Sequence, residues 1–160
     1  PRHLSLVIDS IGRMNDHAAR PFGLHFCFDN YRLIAGSKGH DSRRLGDMQK
    51  VDVLYIETAN TDDGRGLDLS AYPEHILTLR ENGYAGEIAP GFLNVHTDRM
   101  EDVPLLAERI RAAIQADGGP ERIVVNPDCG LRTRTWEVAL QKLRNLAEAA
   151  LIVRMEYERP

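Results

Sequence analysis

The chain has 160 residues, of which 42% are hydrophobic, and it carries 20 basic and 24 acidic residues. This length suffices for one hydrophobic core, and the balanced charge argues against a nucleic acid or another polyanion as partner. No stretch approaches the roughly 20 apolar residues of a membrane-spanning helix, and the N-terminus lacks the apolar region of a signal peptide. Two cysteines are too few for a disulfide scaffold. We therefore expect a soluble, cytoplasmic protein that forms a single domain over residues 1–160.

The first third of the chain predicts one helix, one strand and a loop. Apolar residues recur at helical spacing over 4–18. A strand is predicted over 22–28, where alternation places His25 and Cys27 on one face. An irregular loop with two glycines follows over 31–42, and a short helix over about 43–50 leads to the next strand.

The remaining residues alternate between strand and helix patterns. The predicted strands cover 51–56, 88–95 and 123–126, and the predicted helices cover 70–82, 100–115 and 136–157. Pro90 and Gly91 weaken the strand that contains them, and Gly83 is a typical residue at which a helix stops. The apolar face of the last helix is predicted to consist of Val138, Leu140, Leu143, Leu146, Ala150 and Val153.

One helix followed by four strand–helix units predicts an α/β fold with a parallel sheet. Parallel neighbours need crossover connections, which place the helices outside the sheet. Four units are half of an eight-unit (β/α) barrel, which usually takes about 250 residues. We therefore predict half of a TIM barrel, with an open flavodoxin-like sheet as the alternative. A half-barrel leaves an apolar inner face and two open edges, so we expect the missing half from the same longer chain or from a second copy.

Side chains that bind metals stand at the carboxyl ends of successive predicted strands. They are His25 and Cys27 on the first strand, Glu57 after the second, His96 after the third and Cys129 after the fourth. This edge is where parallel α/β proteins place their chemistry, and strands about 4.8 Å apart let such groups converge. Two thiolates, an imidazole and a carboxylate suit tetrahedral zinc better than magnesium or calcium. Such electron-rich ligands favour the activation of a bound thiol over that of a water.

Taken singly, each of these residues has a simpler explanation. Cys27 could be an inert buried thiol, His25 a hydrogen-bonded core residue, and Glu57 the cap of the following helix. A disulfide between Cys27 and Cys129 is conceivable, but the absence of a secretory signal counts against it. Their joint placement at one edge of the sheet favours the metal site.

Four short motifs resemble the catalytic barrel of the cobalamin-independent methionine synthase family. They are His25-Phe26-Cys27, Ile56-Glu57-Thr58, Asn94-Val95-His96 and the run VNPDCGLRTR over 125–134. The resemblance covers residues 20–152 and implies the C-terminal half of the family's TIM barrel. It also implies zinc held by His25, Cys27, Glu57 and Cys129, with homocysteine as the thiol that receives a methyl group from a folate or corrinoid-linked donor. His96 matches a histidine implicated as the proton donor to the departing folate.

The chain departs from the family pattern directly after two of these motifs. Thr58-Ala59-Asn60 follows the glutamate where the synthase usually has serine and arginine, and Thr97-Asp98 follows the histidine in place of serine and proline. These differences indicate a relative of the synthase, such as a corrinoid-linked methyltransferase or an epoxyalkane:coenzyme M transferase. The alternatives are therefore alkyl transfer to another thiol, or a catalytically silent zinc-binding half-domain.

Three further residues are weaker candidates for substrate binding: Asn30, Asp128 and Arg132. Arg132, like Arg134, could bind a carboxylate, sulfonate or phosphate; the alternative is solvation of a helix start, which explains Arg134 at least as well. Asp128 could orient a ligand through hydrogen bonds or serve only as a turn residue. Asn30 and Tyr31, with the glycine-containing loop after them, could form one wall of a substrate pocket.

Overall fold

The structure is a computed structural model, and it describes residues 21–26, 51–59, 69 and 71–158. The helix predicted over 4–18, the loop over 31–42 and the short helix over 43–50 lie outside these ranges. The candidate residues Cys27 and Asn30 also lie outside the described residues.

Three short parallel strands form a sheet in which the spatial order follows the chain order. They are β1 (Gly23–Phe26), β2 (Val53–Ile56) and β3 (Glu87–Pro90). The register pairs His25 with Tyr55, and Tyr55 with Ala89. The predicted α/β fold with a parallel sheet is thus confirmed.

The third and fourth predicted strands differ from the prediction over 88–95 and 123–126. The third ends at Pro90, which pairs with Ile56, the last residue of β2; the amide of Gly91 donates the next hydrogen bond to the carbonyl oxygen of Ile56 at 2.8 Å. The fourth segment runs parallel to β3 through two isolated bridges, Ile88 to Ile123 and Gly91 to Asn126, without forming a regular strand among the described residues. Four complete strand–helix units are therefore not confirmed.

The described residues form three helices close to the predicted ranges. They are α1 (Ala71–Glu81), α2 (Val103–Asp117) and α3 (Trp136–Tyr157). The second begins three residues later than predicted because Asp102 caps it, accepting a hydrogen bond from the amide of Leu105 at 2.8 Å. Gly118 ends the same helix with a φ of 83°, a left-handed conformation that glycine adopts without strain.

The two faces of the sheet have different surroundings. Leu54 and Ile88 are register partners, are fully buried and belong to the core that the sheet forms with the helices. The core also contains Tyr72, Ile76, Leu79, Phe92, Leu106 and Ile110. Side chains alternate along a strand, so His25 and Tyr55 lie on the opposite face. That face lies away from the core that the sheet forms with the three described helices.

The buried face of α3 is rotated relative to the predicted apolar face. Leu146, Ala149 and Val153 are buried together with Lys142, whereas Leu143 is 42% exposed. The buried residues follow one helical stripe, and a charged residue occupies the position where that stripe begins. Among the described residues, no helix combines the length and the apolar character that crossing a bilayer requires.

We expect Gly91→Ala to lower the free energy of unfolding by about 2–3 kcal/mol, because overpacking of this order accompanies added atoms in a filled site. A Cβ at Gly91 would overlap the Asp128 carboxylate and lie 2.5 Å from the Asp128 Cα. Urea unfolding measures the loss. Gly130→Ala is the control, since its Cβ would meet nothing within 4 Å. Equal effects of the two substitutions would contradict the close approach.

Candidate functional site

Two of the predicted metal ligands, His25 and Cys129, line the same surface depression. The His25 ring lies edge-on to the ring of Tyr55, with the centroids 6.5 Å apart. Cys129 is half-buried and follows Asn126, the last residue that pairs with the β3 region. The depression is completed by Gly23, Tyr55, Asn126, Pro127 and Gly130. It therefore offers an imidazole and a thiol to one bound group.

Glu57 and His96 form a second pair close to the ends of neighbouring strands. Glu57 directly follows β2 and is 1% exposed, whereas the His96 side chain is 26% exposed. Nε2 of His96 lies 3.6 Å from Oε1 of Glu57. At this distance a protonated imidazole forms an ion pair with the carboxylate, which would fix the orientation of the ring.

The structure brings together two of the predicted ligands, His25 and Cys129, and places a third, Glu57, beside the predicted proton donor His96. Among the described residues, no group of three or more His, Cys, Asp or Glu side chains comes close enough to hold a metal ion. Cys27 is the next residue after β1 and lies outside the described ranges. The complete set of four ligands therefore stays a prediction.

Asp128 links the loop of Cys129 to the loop that follows Glu57. Its carboxylate is fully buried, and Oδ1 accepts hydrogen bonds from the amides of Thr58 at 2.8 Å and Ala59 at 2.9 Å. The amide of Asp128 itself donates to the carbonyl oxygen of Leu93. These bonds fix the positions of both loops, and a direct contact of Asp128 with a substrate stays a prediction.

The two arginines after Cys129 have different environments. Arg132 is exposed to solvent, so its guanidinium group is accessible to an anionic ligand. Arg134 is mostly buried, and its Nη1 donates to Oδ1 of Asp98 at 2.7 Å. Because Asp98 lies two residues after His96, this ion pair joins the Cys129 loop to the His96 loop. A role of Arg132 in substrate binding stays a prediction.

The sequence reasoning missed three buried charged residues near His96: Glu101, Arg109 and Lys142. Lys142 is 0% exposed, and its Nζ lies 2.6 Å from Oε2 of Glu101. Helical spacing carried a signal for Lys142, which is in phase with Leu146 on the buried stripe of α3. A charged residue at a buried position of a helical pattern indicates a polar contact in the interior.

Comparison with known proteins now identifies the family. A family model described as the catalytic domain of cobalamin-independent synthase matches residues 17–151. The chain belongs to this family.

Similar proteins carry names from the same family of synthases. The chain is 34% identical to "Methionine synthase" of Thermoplasma acidophilum over 93% of this chain and 43% of that protein. It is 33% identical to "Methionine synthase" of Thermococcus kodakarensis over 99% of this chain and 41% of that protein. The chain thus spans less than half the length of these curated relatives of the synthase family.

A solved structure of the synthase family shares the fold. It is a B12-independent methionine synthase from Shewanella sp. W3-18-1 in complex with selenomethionine. The TM-score is 0.72 at 19% sequence identity, over 94% of this chain and 43% of that chain. At this identity the likeness concerns the fold, and it supports the parallel α/β architecture described above.

We expect Asp128→Ala to lower the free energy of unfolding by about 2–4 kcal/mol, because two buried amides, those of Thr58 and Ala59, lose their acceptor. Asp128→Asn is the matched control, since its side-chain oxygen can still accept both hydrogen bonds. Urea unfolding of the two variants gives the comparison. Equal stability of the alanine and asparagine variants would show that these hydrogen bonds contribute nothing.

Proposed function

We propose that the protein transfers a methyl group to the sulfur of a small thiol, with homocysteine as the acceptor and a folate or corrinoid-linked group as the methyl donor. The observation that carries the proposal is the depression shared by His25 and Cys129 in a chain that belongs to the cobalamin-independent synthase family. The names of the relatives, which include homocysteine methyltransferases, support the same acceptor.

We further propose that zinc is the metal, held by His25, Cys27, Glu57 and Cys129. The imidazole and the thiol that face one depression match the nitrogen and sulfur ligands that zinc prefers. Zinc, when bound, would lower the pKa of an incoming thiol, so that its sulfur is nucleophilic at neutral pH.

His96 would act as the proton donor of the proposed reaction. With a folate donor, a bond forms between sulfur and the methyl carbon, the bond between that carbon and a nitrogen of the folate breaks, and the nitrogen keeps the electron pair and needs a proton. The His96 ring is partly accessible and lies beside Glu57, which would hold its orientation while the proton leaves. The thiol has released one proton, so the overall transfer is balanced.

Substrate contacts would come from this chain and from the part of the protein beyond it. Arg132 is exposed and suits the carboxylate of an amino-acid thiol, and Asn30 and Asp128 are the other proposed contacts. The chain covers 43% of the Thermoplasma relative. We therefore propose that the rest of the barrel, from the same longer chain or from a second copy, supplies the remaining contacts.

We expect the purified protein to contain one zinc ion per chain and Cys129→Ser to weaken zinc binding by about tenfold or more, because an alcohol replaces a thiolate ligand. Metal analysis and competition with a chelator measure content and affinity. Gly130→Ala is the control on the same loop, since the added Cβ meets nothing within 4 Å. Unchanged zinc affinity in the serine variant would remove Cys129 from the ligand set.

We expect homocysteine to add one sulfur atom to the zinc ligands at about 2.3 Å, as X-ray absorption detects. The same titration with coenzyme M tests the alternative of alkyl transfer to another thiol. A new sulfur ligand with coenzyme M and none with homocysteine would favour that alternative. No change with either thiol would favour a silent zinc-binding half-domain.

A further inference from the structure

One buried lysine holds both ends of the segment that carries His96. Nζ of Lys142 donates hydrogen bonds to the carbonyl oxygens of Asn94 at 3.1 Å and Arg99 at 2.5 Å. Its third hydrogen bond goes to Oε2 of Glu101 at 2.6 Å. An ammonium group has three donors, so all of them are engaged, and two of them bracket the His96 segment.

A second cation and the Glu101 carboxylate extend these contacts to another helix. Oε1 of Glu101 accepts a hydrogen bond from the amide of Asn94 at 2.9 Å and lies 3.9 Å from Nη1 of Arg109. The same Nη1 donates to the carbonyl oxygen of Phe92 at 2.8 Å. Arg109 lies on α2 and Lys142 on α3. The backbone over 92–99 is therefore held by buried charges from two helices.

Within the segment, short-range hydrogen bonds restrict the backbone further. The amide of His96 donates to Oδ1 of Asn94 at 2.9 Å, and the amide of Arg99 donates to Oγ1 of Thr97 at 3.1 Å. Both ends of the segment are held by Lys142, and the two short-range hydrogen bonds restrict the turn between them. The position of the segment therefore determines where the His96 ring lies relative to Glu57, whose Oε1 is 3.6 Å from Nε2 of His96.

Stability alone does not explain a lysine at this position. Lys142 lies on the buried stripe of α3, where an apolar side chain would also pack. Replacing a buried ion pair by apolar residues is often neutral or stabilising. What an apolar side chain cannot supply is a directed pair of hydrogen bonds to two carbonyl groups five residues apart.

We propose that Lys142, with Glu101 as its counter-ion, is a positioning residue that sets His96 for proton transfer. The inference rests on the proposed function, since it assigns to the lysine the placement of the proposed proton donor. It adds a residue of α3, which does not line the depression of His25 and Cys129, to a reaction assigned so far to residues at strand ends.

The test compares two methionine variants of the full chain. Lys142→Met removes the bonds to the His96 segment. Arg111→Met is the matched control, because Arg111 joins the same two helices through Glu156 at 2.6 Å on the surface, and its other ion pair, with Glu108, lies within α2. Hydrogen exchange followed by mass spectrometry measures how fast the amides over 92–101 exchange. Steady-state kinetics with homocysteine measures kcat and KM.

We expect the amides over 92–101 to exchange about tenfold faster or more in Lys142→Met and to be unchanged in Arg111→Met. We also expect kcat to fall about tenfold or more in Lys142→Met while KM for homocysteine changes less than about twofold, since misplacement of a catalytic group affects the chemical step. Unchanged exchange in Lys142→Met, or a loss confined to KM, would overturn the proposal.

A double variant separates positioning from folding. Glu101→Gln with Lys142→Met removes both charges of this pair and keeps an acceptor for the amide of Asn94, while Arg109 keeps its hydrogen bond to the carbonyl oxygen of Phe92; its melting temperature is measured beside that of Lys142→Met. Its kcat should stay low and its exchange fast, because the bonds to Asn94 and Arg99 are still missing. Recovery of kcat together with stability would show that the pair serves folding only.

The two proposals fail in different ways. If the wild-type protein methylates no thiol, the proposed function fails, and the exchange measurement alone decides whether Lys142 fixes the His96 segment. If the wild type is active and the double variant is equally active, the proposed function stands and the positioning role is wrong.

Discussion

The carboxylate of Asp128 is the contact on which the arrangement of the strand ends depends. It is fully buried and accepts hydrogen bonds from two amides that follow Glu57, while its own residue precedes Cys129. Gly91 makes this possible, since any side chain there would occupy the space of the carboxylate. One buried acceptor thus couples the loops of two proposed ligands across 70 residues of sequence.

Two sets of buried hydrogen bonds, from different parts of the fold, position the residues of the candidate site. Asp128 fixes the loops after the strands from within the sheet, whereas Lys142 and Arg109 fix the His96 segment from the helices outside it. Apolar packing is not directional, so it can hold the helices against the sheet but cannot set the orientation of a loop. Buried hydrogen bonds supply that orientation, at the cost of removing charged groups from water.

The parts of the fold that depend on local pattern could be predicted from the sequence. Apolar spacing predicted α1, α2 and α3 to within a few residues, and the order of the predicted elements placed Glu57 and His96 at neighbouring strand ends. The bridges of 123–126 depend on how closely β3 approaches, which local pattern does not determine. The amide partners of Asp128 lie far away in sequence, and Lys142 was overlooked because lysine is usually exposed.

Lysine is rare in this chain, and its use at position 142 has a practical consequence. Three of the 20 basic residues are lysines, and Lys142 is the one within the described ranges. The planar guanidinium of an arginine would not match three acceptors around one nitrogen, which suits a compact ammonium group. Reagents that acylate amines need an accessible nitrogen, so Lys142 should resist labelling while α3 stays packed against the His96 loop. Acylation of Lys142 would therefore show that the helix had separated from the His96 loop.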